Sequence, residues 1–281
     1  MKYLDDFTSL RQRIDTGNIK SILFPEEWKE WTQLSKETID QRLKRICSMP
    51  LDGEDFTVVY TLYSRLKWID VLKACAPSKG AVVLEVGSGS STIIPNAMTA
   101  YDPGSKYITA NMNKILTEEL KKNISKLPIQ FDIIEDDANY INNYLSTSSI
   151  DLIVFEHSAN DVLQAILCGK KGIDTIQNDW FELLPRMIEL INREYVEHTL
   201  ETNLKTEFLQ LISNCLAVLK PGGYLTISHY MFQYDLNLGY DSELWQDIVP
   251  VIRPWFKELS QAEEVLIEGF DPQWWLFYQK K

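Results

Sequence analysis

The run VLEVGSGSS, residues 83–91, combines a short apolar strand with a turn that could hold a ligand. Gly87 and Gly89 let the backbone bend sharply and let a ligand come close, because neither residue carries a Cβ atom. The following segment is expected to be a helix whose N-terminus directs free N–H groups towards that ligand. Several kinds of nucleotide-binding turn share this glycine spacing, so the neighbouring residues must distinguish them.

The residues around the turn favour a positively charged ligand. A dinucleotide-binding turn would have glycine or alanine at position 92, which is Thr92 in this chain. A P-loop needs a lysine after its second glycine, and no lysine occurs between Gly80 and Lys106. Glu85 would repel a pyrophosphate, but it would attract an ammonium or sulfonium group.

The pattern Glu85-x-Gly87-x-Gly89 resembles motif I of the class I S-adenosylmethionine-dependent methyltransferases, and the resemblance continues over residues 81–281. KYITANMNKIL is similar to the second strand of that family and its ribose-binding end, and EDDA to the loop after the third strand. IDLIVFEH is similar to the fourth strand, and LKPGGYLTISH to the turn into the fifth. The resemblance implies S-adenosyl-L-methionine as the cofactor, S-adenosyl-L-homocysteine as its product, and no metal ion.

The resemblance also implies which residues bind the cofactor. They are Glu85, Gly87, Ser88, Gly89, Asn111, Met112, Asp137, Ala138 and Glu156. In this alignment Met112 lies beside the adenine and Glu156 holds the methionine amino group.

Two positions depart from the family pattern. Ser91 replaces the third glycine of motif I, and Asn111 replaces the acid that accepts bonds from both ribose hydroxyls. An amide has a single acceptor oxygen. A second ribose bond is therefore expected from another residue such as Asn113, or else the affinity is lower by about 1 kcal/mol or more.

The three histidines are candidates for proton transfer. His157 follows the fourth predicted strand and His229 follows the fifth, so both are expected near the reactive methyl group. Either could be the general base for a hydroxyl or ammonium acceptor, or could only form hydrogen bonds within its loop. His198 lies in a helical region and is expected to face solvent.

A second group of residues is expected to contact the methyl acceptor. Its members are Tyr60, Asn160, Asp161, Trp180 and Tyr230. For the aromatic residues the alternative is a place in the hydrophobic core. For Asn160 and Asp161 the alternative is capping of the helix that begins there.

The elements that must position these residues alternate between strands and helices from residue 81 onwards. AVVLEVG, KYITAN, IQFDIIEDD, IDLIVFEH and GYLTISHY predict strands, and AEEVLIEGF and QWWLFYQKK predict a closing antiparallel pair. The predicted fold class is α/β, a Rossmann-like seven-stranded, mostly parallel sheet with an antiparallel last strand. A helical N-terminal region precedes this sheet, and a helical insertion separates strands 4 and 5.

These elements predict two regions. Residues 1–78 form a helical cap, interrupted by the turn MPLDGED, and residues 79–281 form the methyltransferase domain. Residues 157–220 are too long for a minimal crossover, and an insertion after a strand's carboxyl end lies on the ligand-binding edge of the sheet. A lid or substrate-binding role is predicted for this insertion, and a purely structural helical pad is the alternative.

Composition restricts the partners. The 281 residues carry a net charge of −12, which disfavours nucleic acid, and no apolar run is long enough to span a membrane. The four cysteines form no CxxC pair, and the N-terminus MKYLDDFTSL lacks the features of a signal peptide. A cytoplasmic monomer or homodimer with buried, reduced cysteines is expected.

The expected function is methyl transfer to a small molecule, natural product or peptide, at oxygen in preference to nitrogen. RNA or another nucleic acid is the alternative acceptor. The base-methylating branches often carry an Asn/Asp-Pro-Pro-Tyr/Phe motif at the end of the fourth strand, where this chain has FEHSAND. A non-catalytic nucleoside-binding module or an NAD(P)-dependent enzyme is the alternative from another functional class.

Overall fold

The computed structural model describes residues 2–48, 50–51 and 56–281, so most of the predicted turn MPLDGED lies outside the described residues. The strands are β1 (Val82–Val86), β2 (Lys106–Ala110), β3 (Gln130–Ile134), β4 (Ile150–Glu156), β5 (Leu219–Ser228), β6 (Ala262–Glu264) and β7 (Trp275–Lys280). The first helices are α1 (Lys2–Thr16), α2 (Pro25–Trp31), α3 (Lys36–Ile46), α4 (Val58–Cys75), α5 (Ile93–Tyr101) and α6 (Lys114–Ile124). The later helices are α7 (Ala159–Lys170), α8 (Trp180–Val196), α9 (Leu200–Val218), α10 (Gln233–Asn237) and α11 (Ser242–Ile252). Short 3₁₀ turns occur at Ile19–Ser21, Ala138–Asn143 and Trp255–Glu258.

The seven strands form one sheet in the order β3-β2-β1-β4-β5-β7-β6. The first five strands are parallel, whereas β7 runs antiparallel to both β5 and β6. This arrangement confirms the predicted fold class, and it is the sheet of the class I methyltransferase fold. The prediction for AEEVLIEGF was too long, because β6 covers only Ala262–Glu264 and is followed by a single further bond to β7, from Val265 N–H to Phe277 O.

The central strands are apolar because helices cover both faces of a parallel sheet. In β4 every residue except Asp151 is buried. Carboxyl ends of parallel strands meet at one edge, so the segments after β1, β2, β3 and β4 lie together there. The glycine turn and the segments that begin at Asn111, Asp136 and His157 therefore share one edge of the sheet.

The N-terminal region is helical, and its last helix packs directly on the sheet. Helix α4 is buried around most of its circumference, which is the pattern of a helix enclosed on all sides. The Trp68 ring meets the ring of Trp275 in β7 at a centroid distance of 5.1 Å. On another face, Arg65 forms an ion pair with Glu27 of α2 at 2.6 Å. One hydrophobic core thus extends from the leading helices into the sheet.

The chain between β4 and β5 forms three helices, α7 to α9, as the sequence predicted. Helix α11 contains Pro250 and ends at Ile252, just before Pro254. All four cysteines are buried, and none forms a disulfide within the described residues, as expected. No helix within the described residues has the length and apolarity needed to cross a membrane.

Candidate functional site

A cavity of about 510 Å³ opens at the carboxyl edge of the sheet. One wall follows β1, β2 and β3 and consists of Val86, Gly87, Gly89, Ala110, Asn111, Met112, Asn113, Leu116, Asp136, Asp137, Ala138 and Asn139. The opposite wall belongs to the segment between β4 and β5 and includes Asp161, Val162, Ala165, Ile166, Gly169, Lys170, Ile173, Asp174, Thr175, Ile176, Trp180, Glu207 and Leu211. The volume lies within the range of small-ligand sites.

The glycine turn forms the floor of this cavity. Gly87 and Gly89 have φ angles of +72° and +56°, a region that residues with side chains rarely adopt. The turn is held by two bonds, because Gly87 N–H donates to Ala110 O at 3.0 Å and Asn111 Nδ2 donates to Gly89 O at 2.7 Å. A Cβ atom at position 87 would lie 3.2 Å from Ser158 Cβ. The backbone of the turn therefore remains accessible only because these positions are glycine.

Glu85 and Ser88 lie behind the turn and do not line the cavity. Glu85 is 1% exposed, and its Oε2 accepts a hydrogen bond from Tyr107 Oη at 2.6 Å. Burial raises the pKa of Glu85, the Tyr107 bond lowers it, and the charge of Glu156 raises it further. Ser88 Oγ is 2.9 Å from Thr109 Oγ1. Glu85 and Ser88 were predicted to contact the ligand, but in this structure their side chains support β1.

The residues predicted for ribose and adenine all line the cavity. These are Asn111, Met112, Asp137 and Ala138. The bond from Asn111 Nδ2 to Gly89 O leaves Oδ1 as the amide atom that can accept from a ligand hydroxyl. Asp137 caps the 3₁₀ turn that begins at Ala138, because its side chain accepts from Asn139 N–H at 2.8 Å.

Asp136 is a site residue that the sequence analysis missed. It lines the cavity, and its carboxylate accepts bonds from Tyr144 Oη at 2.6 Å and from Asp137 N–H at 2.8 Å. These two bonds lower the pKa of Asp136, so its carboxylate is ionised and can accept from a hydroxyl group. The run EDDA includes Asp136, but the sequence alone did not show which of its acids faces the cavity.

Asn113 is not free to bind the ribose, which corrects that expectation. Its Oδ1 accepts from Leu116 N–H as the cap of α6, and its Nδ2 donates to Thr175 O at 2.8 Å and Asn178 O at 2.9 Å. Both amide hydrogens are therefore used. The side chain ties residues 175–178 of the opposite wall to the start of α6.

Replacing Asn113 by alanine is expected to loosen this wall. Two carbonyl groups lose their donor, which costs roughly 1–3 kcal/mol for a buried pair. Amides of residues 174–178 should exchange hydrogen faster, and the affinity for a ligand in the cavity should fall about tenfold. Hydrogen exchange with mass spectrometry measures the first effect. Asn123→Ala, at the far end of α6, is the control, and equal exchange in both variants would contradict the role of Asn113.

The two predicted catalytic histidines lie together beyond the cavity wall. Their ring centroids are 4.7 Å apart, and neither ring lines the cavity. His157 Nε2 donates to Tyr230 O at 2.8 Å, and His229 Nε2 donates to Trp245 O at 2.9 Å. Burial lowers the pKa of both imidazoles, so both are neutral near pH 7. His229 is fully buried, so an acceptor cannot reach its side chain, which instead supports the surrounding structure.

Backbone strain marks the end of β4. His157 has a φ of +50°, which is uncommon for a residue with a side chain and often occurs at functional sites. Its N–H donates to Ser228 O, and the next residue, Ser158, donates from Oγ to Val86 O at 2.6 Å. This bend brings the start of α7 against the glycine turn. His198 is exposed, as expected.

The predicted acceptor-binding residues divide into two groups. Asp161 and Trp180 line the cavity, whereas Tyr60, Asn160 and Tyr230 are buried beside it. The charge of Glu156 contributes to raising the pKa of both Tyr60 and Tyr230, after burial, so these phenols lie close to the end of β4. Glu156, which was predicted to hold the methionine amino group, is 8% exposed and does not line the cavity, and burial raises its pKa to about 7.

Comparison with known proteins identifies relatives by structure only. No protein-family model matches the sequence, and no curated protein has significant sequence similarity to it. The crystal structure of PH0851 has a TM-score of 0.50 and 13% identity over 77% of this chain and 45% of the other. A SAM-dependent methyltransferase from Aquifex aeolicus has a TM-score of 0.47 and 15% identity over 77% of this chain and 92% of the other. An arsenic(III) S-adenosylmethionine methyltransferase from Chlamydomonas reinhardtii has a TM-score of 0.40 and 15% identity over 77% of this chain and 73% of the other. At these identities the likeness concerns the fold.

Proposed function

We propose that the chain is a class I methyltransferase that binds S-adenosyl-L-methionine in the cavity at the carboxyl edge of its sheet. The observation that carries this proposal is the order of the cavity wall. The glycine turn follows β1, Asn111 and Met112 follow β2, and Asp136 to Ala138 follow β3. The sequence resemblance assigns the methionine, ribose and adenine portions of the cofactor to these three segments.

The chemistry of the cavity supports a nucleoside that carries positive charge. The glycine turn offers backbone close to the ligand, and Asp136 and Asn111 can accept from ribose hydroxyls. Met112 and Ala138 provide apolar surface for a purine. Lys170 is the only lysine or arginine among the described residues that line the cavity, whereas five acids line it, which disfavours phosphate groups and suits a sulfonium.

S-adenosyl-L-methionine would supply an activated methyl group, so the protein mainly has to align an acceptor with it and exclude water. The segment between β4 and β5 supplies apolar side chains on the opposite wall, including Val162, Ile166 and Trp180. This wall supports the proposed lid role of residues 157–220. We place the acceptor beside Asp161, which lines the cavity five residues after Glu156, the last residue of β4.

A small molecule or a peptide is the proposed acceptor. The net charge of −12 disfavours a nucleic-acid backbone. No contact in the site specifically favours an oxygen nucleophile over a nitrogen nucleophile.

Isothermal titration calorimetry tests the cofactor assignment. S-adenosyl-L-homocysteine should bind with a dissociation constant in the micromolar range, about −8 kcal/mol, and NAD(P) should give no heat. Absence of binding by S-adenosyl-L-homocysteine to folded protein would overturn the proposal. Binding of NAD(P) in its place would identify an oxidoreductase. Cofactor binding without methyl transfer to any acceptor class would favour a non-catalytic binding module.

A further inference from the structure

Four carboxyl groups surround the end of β4 without a cationic partner. They are Glu85, Glu156, Asp161 and Asp235, and none forms an ion pair with any residue that the structure describes. Asp161 connects this group to the cavity, because it lines the wall. Asp235 accepts a bond from Trp245 Nε1 at 3.1 Å. Burial raises the pKa of all four groups and so favours their neutral form, and a bound cation would favour ionisation of the carboxyl group beside it.

Unpaired acceptor atoms lie beside these acids on helix α7. Asn160 and Gln164 are 3% and 1% exposed and stand one helical turn apart. Asn160 Nδ2 donates to Asp161 Oδ1 at 2.7 Å, and Gln164 Nε2 donates to Tyr240 Oη at 2.7 Å. The carbonyl oxygens of both amides are buried and have no partner among the described residues. A carbonyl oxygen can only accept, and both residues lie behind the cavity wall, where Asn160 is joined to the cavity residue Asp161 by its hydrogen bond.

Aromatic rings complete the surroundings of these acids. Phe232 stacks on Phe56 at 5.4 Å and meets the His157 ring at 4.7 Å. Tyr60 packs edge-on against Phe56 at a centroid distance of 5.1 Å. After burial, the charge of Glu156 also raises the pKa of Tyr60. The faces of aromatic rings attract cations. Asp161, which lines the cavity, thus has carboxyl groups, buried carbonyl oxygens and aromatic rings behind it.

We propose that the methyl acceptor is an amine, which binds as an ammonium ion beside Glu156 and Asp161 and is methylated on nitrogen. This inference rests on the proposed function and names the substrate class of the same site. An alcohol or a carboxylate acceptor would leave the acids uncompensated, and a carboxylate would add to their repulsion. Nitrogen therefore replaces oxygen as the proposed acceptor atom.

The transfer requires one proton to leave the ammonium ion first. Glu156 is suited to accept it, because burial raises its pKa to about 7. The nitrogen lone pair then forms the new N–C bond to the methyl carbon while the C–S bond of the sulfonium breaks. The electron pair of that bond remains on sulfur, which becomes a neutral thioether, and the product is a methylated ammonium ion. One proton is released to solvent from Glu156 in each turnover.

The test compares three ligands that differ in their head group: phenethylamine, phenethyl alcohol and hydrocinnamate. Calorimetry with the full chain, both with and without S-adenosyl-L-homocysteine, should show the amine binding at least about tenfold more tightly than the alcohol. Hydrocinnamate should bind more weakly than either. Asp161→Asn should reduce amine affinity about tenfold and leave the alcohol unchanged, as expected for loss of a charge-assisted hydrogen bond.

Asp132→Asn is the matched control, because Asp132 is an exposed acid on β3 with the same charge. Asp132→Asn should change neither the amine affinity nor the alcohol affinity. If the Asp161→Asn variant does not fold, Asp235→Asn is used in its place. Equal binding of amine and alcohol, absence of amine binding, or an unchanged ratio in Asp161→Asn would each overturn the inference. The measurement without S-adenosyl-L-homocysteine separates the amine proposal from the cofactor proposal. Amine selectivity can be absent while S-adenosyl-L-homocysteine binds, and S-adenosyl-L-homocysteine binding can be absent while amine selectivity remains.

Discussion

Replacing Gly87 by valine is expected to reduce binding of S-adenosyl-L-homocysteine by about 100-fold or more, which is about 3 kcal/mol. Gly87 has a φ of +72°, and an added Cβ would lie 3.2 Å from Ser158 Cβ. Ser158 cannot move away freely, because its Oγ donates to Val86 O at 2.6 Å. The turn would therefore shift, and its backbone would no longer lie where the ligand needs it. Calorimetry measures the affinity, and circular dichroism checks that the sheet remains folded.

Gly222→Val is the matched control for this substitution. Gly222 also has a positive φ, +77°, but a Cβ atom there would meet nothing within 4 Å. It lies in the first half of β5, away from the carboxyl edge. The backbone strain, roughly 1–2 kcal/mol, is thus shared by both variants, while only Gly87 contacts the cavity. Equal losses of affinity in both variants would show that strain, and not the shape of the turn, causes the effect.

The predicted site residues that line the cavity are those held by local backbone geometry. The glycine turn, Asn111 with Met112, and Asp137 with Ala138 each follow directly from the end of a strand, and all reach the cavity. Strand ends can be located from hydrophobic patterning, and parallel strands bring their ends to one edge. This is why the predicted fold class agrees with the structure and why these predicted residues lie along one wall of the cavity.

The parts that sequence did not predict depend on contacts between distant segments. Asn113 is occupied by the carbonyl groups of Thr175 and Asn178, about 60 residues away along the chain. His229 follows a strand end, as expected, but α11 covers it, since its Nε2 donates to Trp245 O. The unpaired carbonyl oxygens of Asn160 and Gln164 become visible only when the packing of α7 is known. Strand periodicity contains no information about these partners.

Glu156→Gln is expected to stabilise the folded protein above pH 7 by about 3 kcal/mol. The pKa of Glu156 rises from its ordinary value of 4.5 to about 7 because burial disfavours the carboxylate. Below pH 4.5 the group is protonated in both the folded and the unfolded chain, so it costs nothing. Between pH 4.5 and about 7 the unfolded chain ionises first, and stability falls as the pH rises. Urea unfolding at pH 5 and pH 8 should therefore show a clear gain for the variant at pH 8 and little gain at pH 5.

Glu194→Gln provides a control of the opposite sign. Glu194 is also buried, and burial alone would raise its pKa, but bonds from Thr199 and Asn203 outweigh that effect and lower it. Its carboxylate is thus stabilised by folding, so its replacement should destabilise the protein at pH 8 and have less effect as the pH falls through the folded-state pKa. A destabilised Glu156→Gln variant at pH 8 would mean that the Glu156 carboxylate is compensated in the folded chain. If Glu156→Gln is instead more stable and loses methyl transfer while it still binds S-adenosyl-L-homocysteine, the site retains a costly carboxyl group because the reaction uses it.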